Sequence, residues 1–145
     1  MSSLQRPFMP FMPFTPFRIP VRVYYQDTDA GGVVFHAQYL AFMERARSEY
    51  LNARGIDVAA WSRAHRLLIV VHELRAKYHR PARLNEQLTV SAQVSRIGRA
   101  SLSYAQRVER GAELLVEADI DLAIVDSASM KPSRLPDDLR KVLTL

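Results

Sequence analysis

The chain has 145 residues, 48% hydrophobic and 24% charged, with 20 Lys and Arg against 15 Asp and Glu for a formal net charge of +5. That length suits one domain with a real core, and the lack of cysteine excludes disulfides, thiolate metal sites and a cysteine nucleophile while fitting a reducing, cytoplasmic setting. The basic residues are scattered, which suits a mild attraction for a phosphate-bearing small molecule better than a nucleic-acid surface, and no apolar stretch approaches the ~20 residues that span a bilayer.

The first sixteen residues, MSSLQRPFMPFMPFTP, are apolar but interrupted by Pro7, Pro10, Pro13 and Pro16. Proline at every third position forbids a helical leader, so residues 1–16 read as a disordered or polyproline-like tail ahead of one domain over 17–145. From Phe17 to Tyr25, Ile19, Val21 and Val23 alternate with Arg18, Arg22 and Tyr24, the period of a strand. Gln26 to Phe35, with two Asp and two Gly, is a loop.

A helix is predicted over residues 37–54. Tyr39, Leu40, Met43, Ala46, Tyr50 and Leu51 form its apolar stripe, with Glu44, Arg47 and Glu49 assigned to the opposite, polar side. Gly55 suits a C-terminal cap, and Asp57 suits the N-cap of a short second helix to about His65. The period then becomes two, giving strands over 67–79, 87–97, 101–109 and 113–125. Gly98 and Gly111 mark the turns of a three-stranded antiparallel meander. Residues 136–143 read as one or two further helical turns. The pattern is α+β: a sheet packed on one long helix.

Chemistry concentrates between Tyr24 and Arg47. Asp27 and Asp29 precede Gly31 and Gly32, and His36 stands at the helix start. A helix N-terminus offers unpaired amides and a partial positive charge, and glycines let a ligand approach the backbone. A carbonyl oxygen docked there would be polarised, and a carboxylate on the same loop would attack the carbonyl carbon or activate water against it. A paired-Asp loop also serves simply as a turn with capping side chains, and Asp27 is the better candidate for that structural role. His36 equally fits a local hydrogen-bonding role. Two carboxylates without further oxygen ligands make a poor calcium loop.

The segment VRVYYQDTDAGGVVFHAQYLAFMERAR, Val21 to Arg47, closely resembles the signature of the 4-hydroxybenzoyl-CoA thioesterase-like superfamily, and in particular its bacterial Tol–Pal-associated acyl-CoA thioesterase branch. HRPARLNEQL, from His79, and MKPSRLP, from Met130, resemble two later stretches of that family. One departure is Gln26, where the family commonly has Glu.

The resemblance implies a hot-dog fold, a long helix wrapped by a curved antiparallel sheet of about five strands. It implies an acyl-CoA thioesterase of lipid metabolism that forms a homodimer or homotetramer with active sites at the subunit interface. Asp29 would be nucleophile or general base, with His36 assisting. Gly32, Val33, Val34, Phe35 and Tyr39 would bind substrate. No metal or redox cofactor is implied, and some members act with acyl carrier protein. Lys77, Arg99, Lys131 and Arg134 are candidates for the coenzyme A phosphates by charge alone. Two rivals are a non-catalytic acyl-binding scaffold of the same fold and a haloacid-dehalogenase phosphatase opening on its DxD. The meander and the short chain argue against the second.

Overall fold

The computed structural model describes residues 7–9 and 16–144, so most of the expected tail lies outside the described residues. Five strands form one antiparallel sheet: β1 (Phe17–Arg22), β2 (Leu67–Tyr78), β3 (Gln87–Ile97), β4 (Ser101–Arg110) and β5 (Glu113–Asp126). Their order across the sheet is β1-β3-β4-β5-β2. The last three strands form the expected meander, paired Thr89 to Glu109 and Ser101 to Ala123. Consecutive strands β1 and β2 therefore sit at opposite edges. The chain crosses between them through α1 (Gln38–Asn52) and α2 (Val58–His65), laying α1 across one face of the sheet. A last helix, α3 (Asp137–Val142), follows the sheet. This is the hot-dog arrangement.

The core lies between α1 and the sheet. Tyr39, Phe42, Met43, Ala46, Tyr50 and Leu51 are buried on the helix, against Val90, Tyr104, Val108 and Ile120 among others. Phe42 and Met43 are fully enclosed, and burial of such a side chain contributes about 1.5–3 kcal/mol. Gly55 adopts φ +83 and Ile56 N–H returns to Leu51 O, closing α1 as a left-handed cap. Asp57 caps α2 by accepting from Ala60 N at 3.2 Å.

Two expectations need correction. The first strand stops at Arg22 rather than Tyr25, because Asp27 accepts from Tyr24 N and draws Tyr25–Asp27 into a 3-10 turn. Arg47 is not on a polar side. It sits one turn after Met43, turns inward, and donates from Nη1 to Gln106 Oε1 at 2.9 Å. The sheet's outer face is not uniformly wet, for Ser91 and Gln93 are buried there. Pro7–Met9 lies over part of that face, where Arg75 donates to Pro7 O at 2.9 Å and stacks its guanidinium on Phe8.

Register shifts bend the sheet at His72, Ser95 and Leu115. The shift at His72 reverses the facing of β2. Leu67, Ile69 and Val71 pair with the same β5 face that Leu74, Ala76 and Tyr78 meet after the bulge. That reversal aims Tyr78 back toward the start of α1.

Candidate active site

The Asp-rich loop is a small hairpin, closed by the antiparallel Thr28–Val34 bridge just before α1. Asp29 N–H donates to Val33 O at 2.9 Å and Gly32 N–H to Asp29 O at 3.0 Å. Gly32 takes φ +78, a left-handed turn conformation that a side chain would strain. Gly31 N–H donates to Asp29 Oδ1 at 2.8 Å, and a Cβ on Gly31 would stand 3.2 Å from that oxygen. One carboxylate oxygen is thus held by the loop, while the side chain as a whole is exposed.

Asp27 behaves differently. It is 2% exposed. Its Oδ2 accepts from Tyr24 N at 2.8 Å, its Oδ1 from Gln38 Nε2 at 3.0 Å, and its carbonyl from Phe35 N at 2.9 Å. It ties the hairpin to the first residue of α1, the structural role the sequence favoured for it.

The start of α1 is uncapped. Ala37 stands at the N-cap with no side-chain hydrogen bond and no acidic residue in the first turn, unlike Asp57 on α2. Among the described residues no carbonyl accepts from the His36 or Ala37 amide. These two donors stand at a helix N-terminus, where an anion or a polarised oxygen is favoured.

Two other segments set this geometry. Ala82, within the PARL stretch, is fully buried. Its carbonyl accepts from Val34 N and its amide donates to Tyr39 Oη, both at 2.9 Å, while Val33 bridges to Arg83. From β2, Tyr78 Oη donates to His36 O at 2.8 Å, and its ring meets Tyr39 edge-on. A cleft of about 260 Å³ lies along this junction, lined by Val34, His36, Tyr39, Tyr78, His79 and Arg80 with Pro81.

Of the residues singled out in the sequence, Asp29, Gly32, Val33, Val34, Phe35 and His36 fall together on the hairpin and helix start. Phe35 and His36 are exposed, with ring centroids 4.4 Å apart. Val34 and Tyr39 are largely buried and form the inner wall of the cleft. Sequence reasoning missed Tyr78 and Arg80. Their only signal was position, at the end of a strand whose place in the sheet no local pattern gives. Burial raises the affinity of both Tyr39 and Tyr78 for their protons, so both hydroxyls stay protonated at neutral pH.

Residues 31–117 match the family model described as thioesterase superfamily, a span that begins just after Asp29. The acyl-CoA thioester hydrolase YbgC of Escherichia coli O157:H7 is 43% identical over 123 residues, covering 84% of this chain and 91% of the relative. The acyl-CoA thioesterase YbgC of Haemophilus influenzae is 41% identical, covering 83% and 89%. The crystal structure of a probable thioesterase from Bartonella henselae superposes with TM-score 0.80 at 34% identity, covering 84% of this chain and all of that one.

Proposed function

The chain belongs to the thioesterase superfamily, and from that membership we propose that it hydrolyses acyl-CoA thioesters to a free acid and coenzyme A. One observation carries the catalytic reading. An exposed carboxylate, Asp29, stands on a hairpin that ends where two amides without a protein acceptor, His36 and Ala37, begin a helix.

The thioester carbonyl oxygen docks on those amides. Asp29 then takes a proton from water, whose oxygen adds to the carbonyl carbon. The oxyanion that forms is stabilised by the same two donors and by the helix N-terminus. Collapse breaks the carbon–sulfur bond, and the coenzyme A thiolate leaves and takes up the proton that Asp29 accepted, which restores the carboxylate, with His36 on the wall of the cleft to assist the departing sulfur. If Asp29 attacks directly, the same donors serve an anhydride intermediate, and a single turnover in heavy-oxygen water would label the Asp29 carboxyl itself. Losing one such donor lowers turnover by about 10²–10³ in a studied case.

The acting unit is a homodimer joined along β2. That strand is 12 residues long and, among the described residues, pairs on one side only, with β5. An unpaired edge of this kind is a template for a second chain, and Val71 and Tyr78 stand exposed on it. Two such dimers can pair as a homotetramer. Among the described residues no helix is long and apolar enough to cross a membrane, which accords with action in the cytoplasm.

The test is thiol release over a panel of acyl-CoA and acyl carrier protein thioesters, with Asp29→Asn as the control. Activity that falls by orders of magnitude in the variant supports the proposal. Full activity in Asp29→Asn would remove Asp29 from the mechanism. Binding without any release by the unaltered chain would favour the acyl-binding scaffold.

A further inference from the structure

A second feature lies beneath the far half of α1, away from the hairpin. Tyr104, at the centre of β4, points at the helix, is 1% exposed, and packs edge-on to Tyr50 with centroids 5.5 Å apart. Its hydroxyl has no hydrogen-bond partner among the described residues. Leaving a buried hydroxyl unpaired is unfavourable enough that native interiors rarely do so.

Arg47 lies beside it. Burial pushes the guanidinium below its usual proton affinity, with Glu44 opposing that effect. Arg47 carries five N–H donors, one of which is engaged by Gln106. Tyr104 and Arg47 both line a cavity of about 170 Å³ whose remaining walls are mostly apolar, from Leu51, Val58, Ile69, Leu102 and Leu122, with Ser48 and Glu44 on the α1 side. A cavity of about 150 Å³ with such walls holds a benzene molecule, so this one has room for roughly six heavy atoms. Its mouth is at Val71, which is 51% exposed on the free edge of β2.

Apolar walls with two donors at one point suit an apolar chain bearing an acceptor oxygen. Glu44 at the rim balances Arg47, which favours a neutral oxygen over a carboxylate. We propose that this cavity takes the far end of the acyl group, and that Tyr104 and Arg47 select acyl thioesters carrying a hydroxyl, keto or ether oxygen there. The inference rests on the thioesterase reading and names its substrate class. Tyr104 and Arg47 are specificity residues, remote from the reacting carbon.

The experiment compares matched pairs of acyl-CoA, plain and bearing a hydroxyl near the chain end, over chain lengths from four to twelve carbons. Each pair is run on the full chain and on Tyr104→Phe, which keeps the ring and the packing. The unaltered protein should favour the hydroxylated member of at least one pair. Tyr104→Phe should lower that preference, read as the ratio of kcat/KM within each pair, about tenfold, the worth of one good hydrogen bond.

A preference that Tyr104→Phe leaves intact overturns the inference, as does no preference at any length. If no thioester is hydrolysed, the thioesterase reading fails instead. The cavity is then judged by calorimetry with free decanoic and 10-hydroxydecanoic acids. Tighter binding of the hydroxy acid that Tyr104→Phe abolishes supports the site, and equal binding overturns it. A crystal structure grown with the hydroxy acid that shows only ordered water on Tyr104 and Arg47 also overturns it.

Discussion

The Tyr78 hydroxyl donates to the His36 carbonyl oxygen at 2.8 Å across 42 residues of sequence. This bond joins the end of the edge strand to the peptide whose neighbouring amides await a ligand. Tyr78→Phe keeps the ring contact with Tyr39 and removes only the tether. Small misplacement of a reacting group is costly, so kcat should fall about tenfold while KM and the melting temperature change little. A variant as active as the parent would show that the Asp27, Ala82 and Arg83 contacts hold the hairpin without this tether.

The two aspartates should separate cleanly into stability and turnover. Asp27→Ala leaves the Tyr24 amide and the Gln38 amide group without their acceptor in a buried setting. It should destabilise the fold by about 1–3 kcal/mol in urea titration. Asp29→Ala exposes no orphaned buried group, because the Asp29 side chain is exposed and its one recorded partner, Gly31 N–H, is exposed too. It should leave the unfolding free energy within about 0.5 kcal/mol of the parent and abolish thiol release.

The adjacent glycines are not equivalent. At Gly32 an added Cβ meets nothing within 4 Å, but φ +78 strains any side chain, so Gly32→Ala should cost about 1 kcal/mol. At Gly31 the backbone is unremarkable and the Cβ presses on Asp29 Oδ1 at 3.2 Å. Gly31→Ala should therefore reduce kcat more than stability. Parallel thermal melts and thiol-release assays on the two variants read this difference directly.

Residue periodicity made the elements legible, since each of β2 to β5 lies within a residue or so of its expected limits. It failed where a residue's neighbours come from elsewhere in the chain. Arg47 was taken as solvent-facing because it is charged, although it stands four residues after Met43 on the buried stripe. Its partner Gln106 comes from β4, and nothing local announces that pairing. Asp27 and Asp29 are identical side chains two residues apart, and the 3-10 turn decides which one is enclosed. Tyr78 became part of the candidate site only through the strand order, which places β2 at an edge. The composition of the loop, by contrast, was legible from the start, two Asp and two Gly ahead of His36 at the helix start.

The dimer along β2 has its own test. Val71→Lys puts a charge on the exposed part of the free edge, a device that blocks strand pairing. The variant should sediment as a monomer and remain folded. Tyr78, at the end of this same edge strand, lines the cleft, so thiol release should fall with the dimer. A Val71→Lys protein that stays dimeric would move the interface to another surface.

Acid should weaken the fold partly through Glu113. Hydrogen bonds from the Arg110 guanidinium, with a further contribution from Arg80, hold its carboxyl below the usual carboxylate range. The folded state therefore favours the ionised form more than the unfolded chain does. That contribution is fully present above the ordinary carboxylate range and is lost as pH falls through the depressed folded value. Glu113 lies at the surface with its side chain 32% exposed, so solvent and salt screen the pair and the effect is small. Glu113→Gln should flatten the acid side of a stability–pH curve below about pH 4.5 and leave stability near neutral pH only slightly reduced. High salt should shrink the difference between parent and variant. An acid limb of unchanged slope in Glu113→Gln would assign that titration to other carboxylates, with Asp126 the first to examine because the Ser129 and Ala128 amides lower it in the same direction.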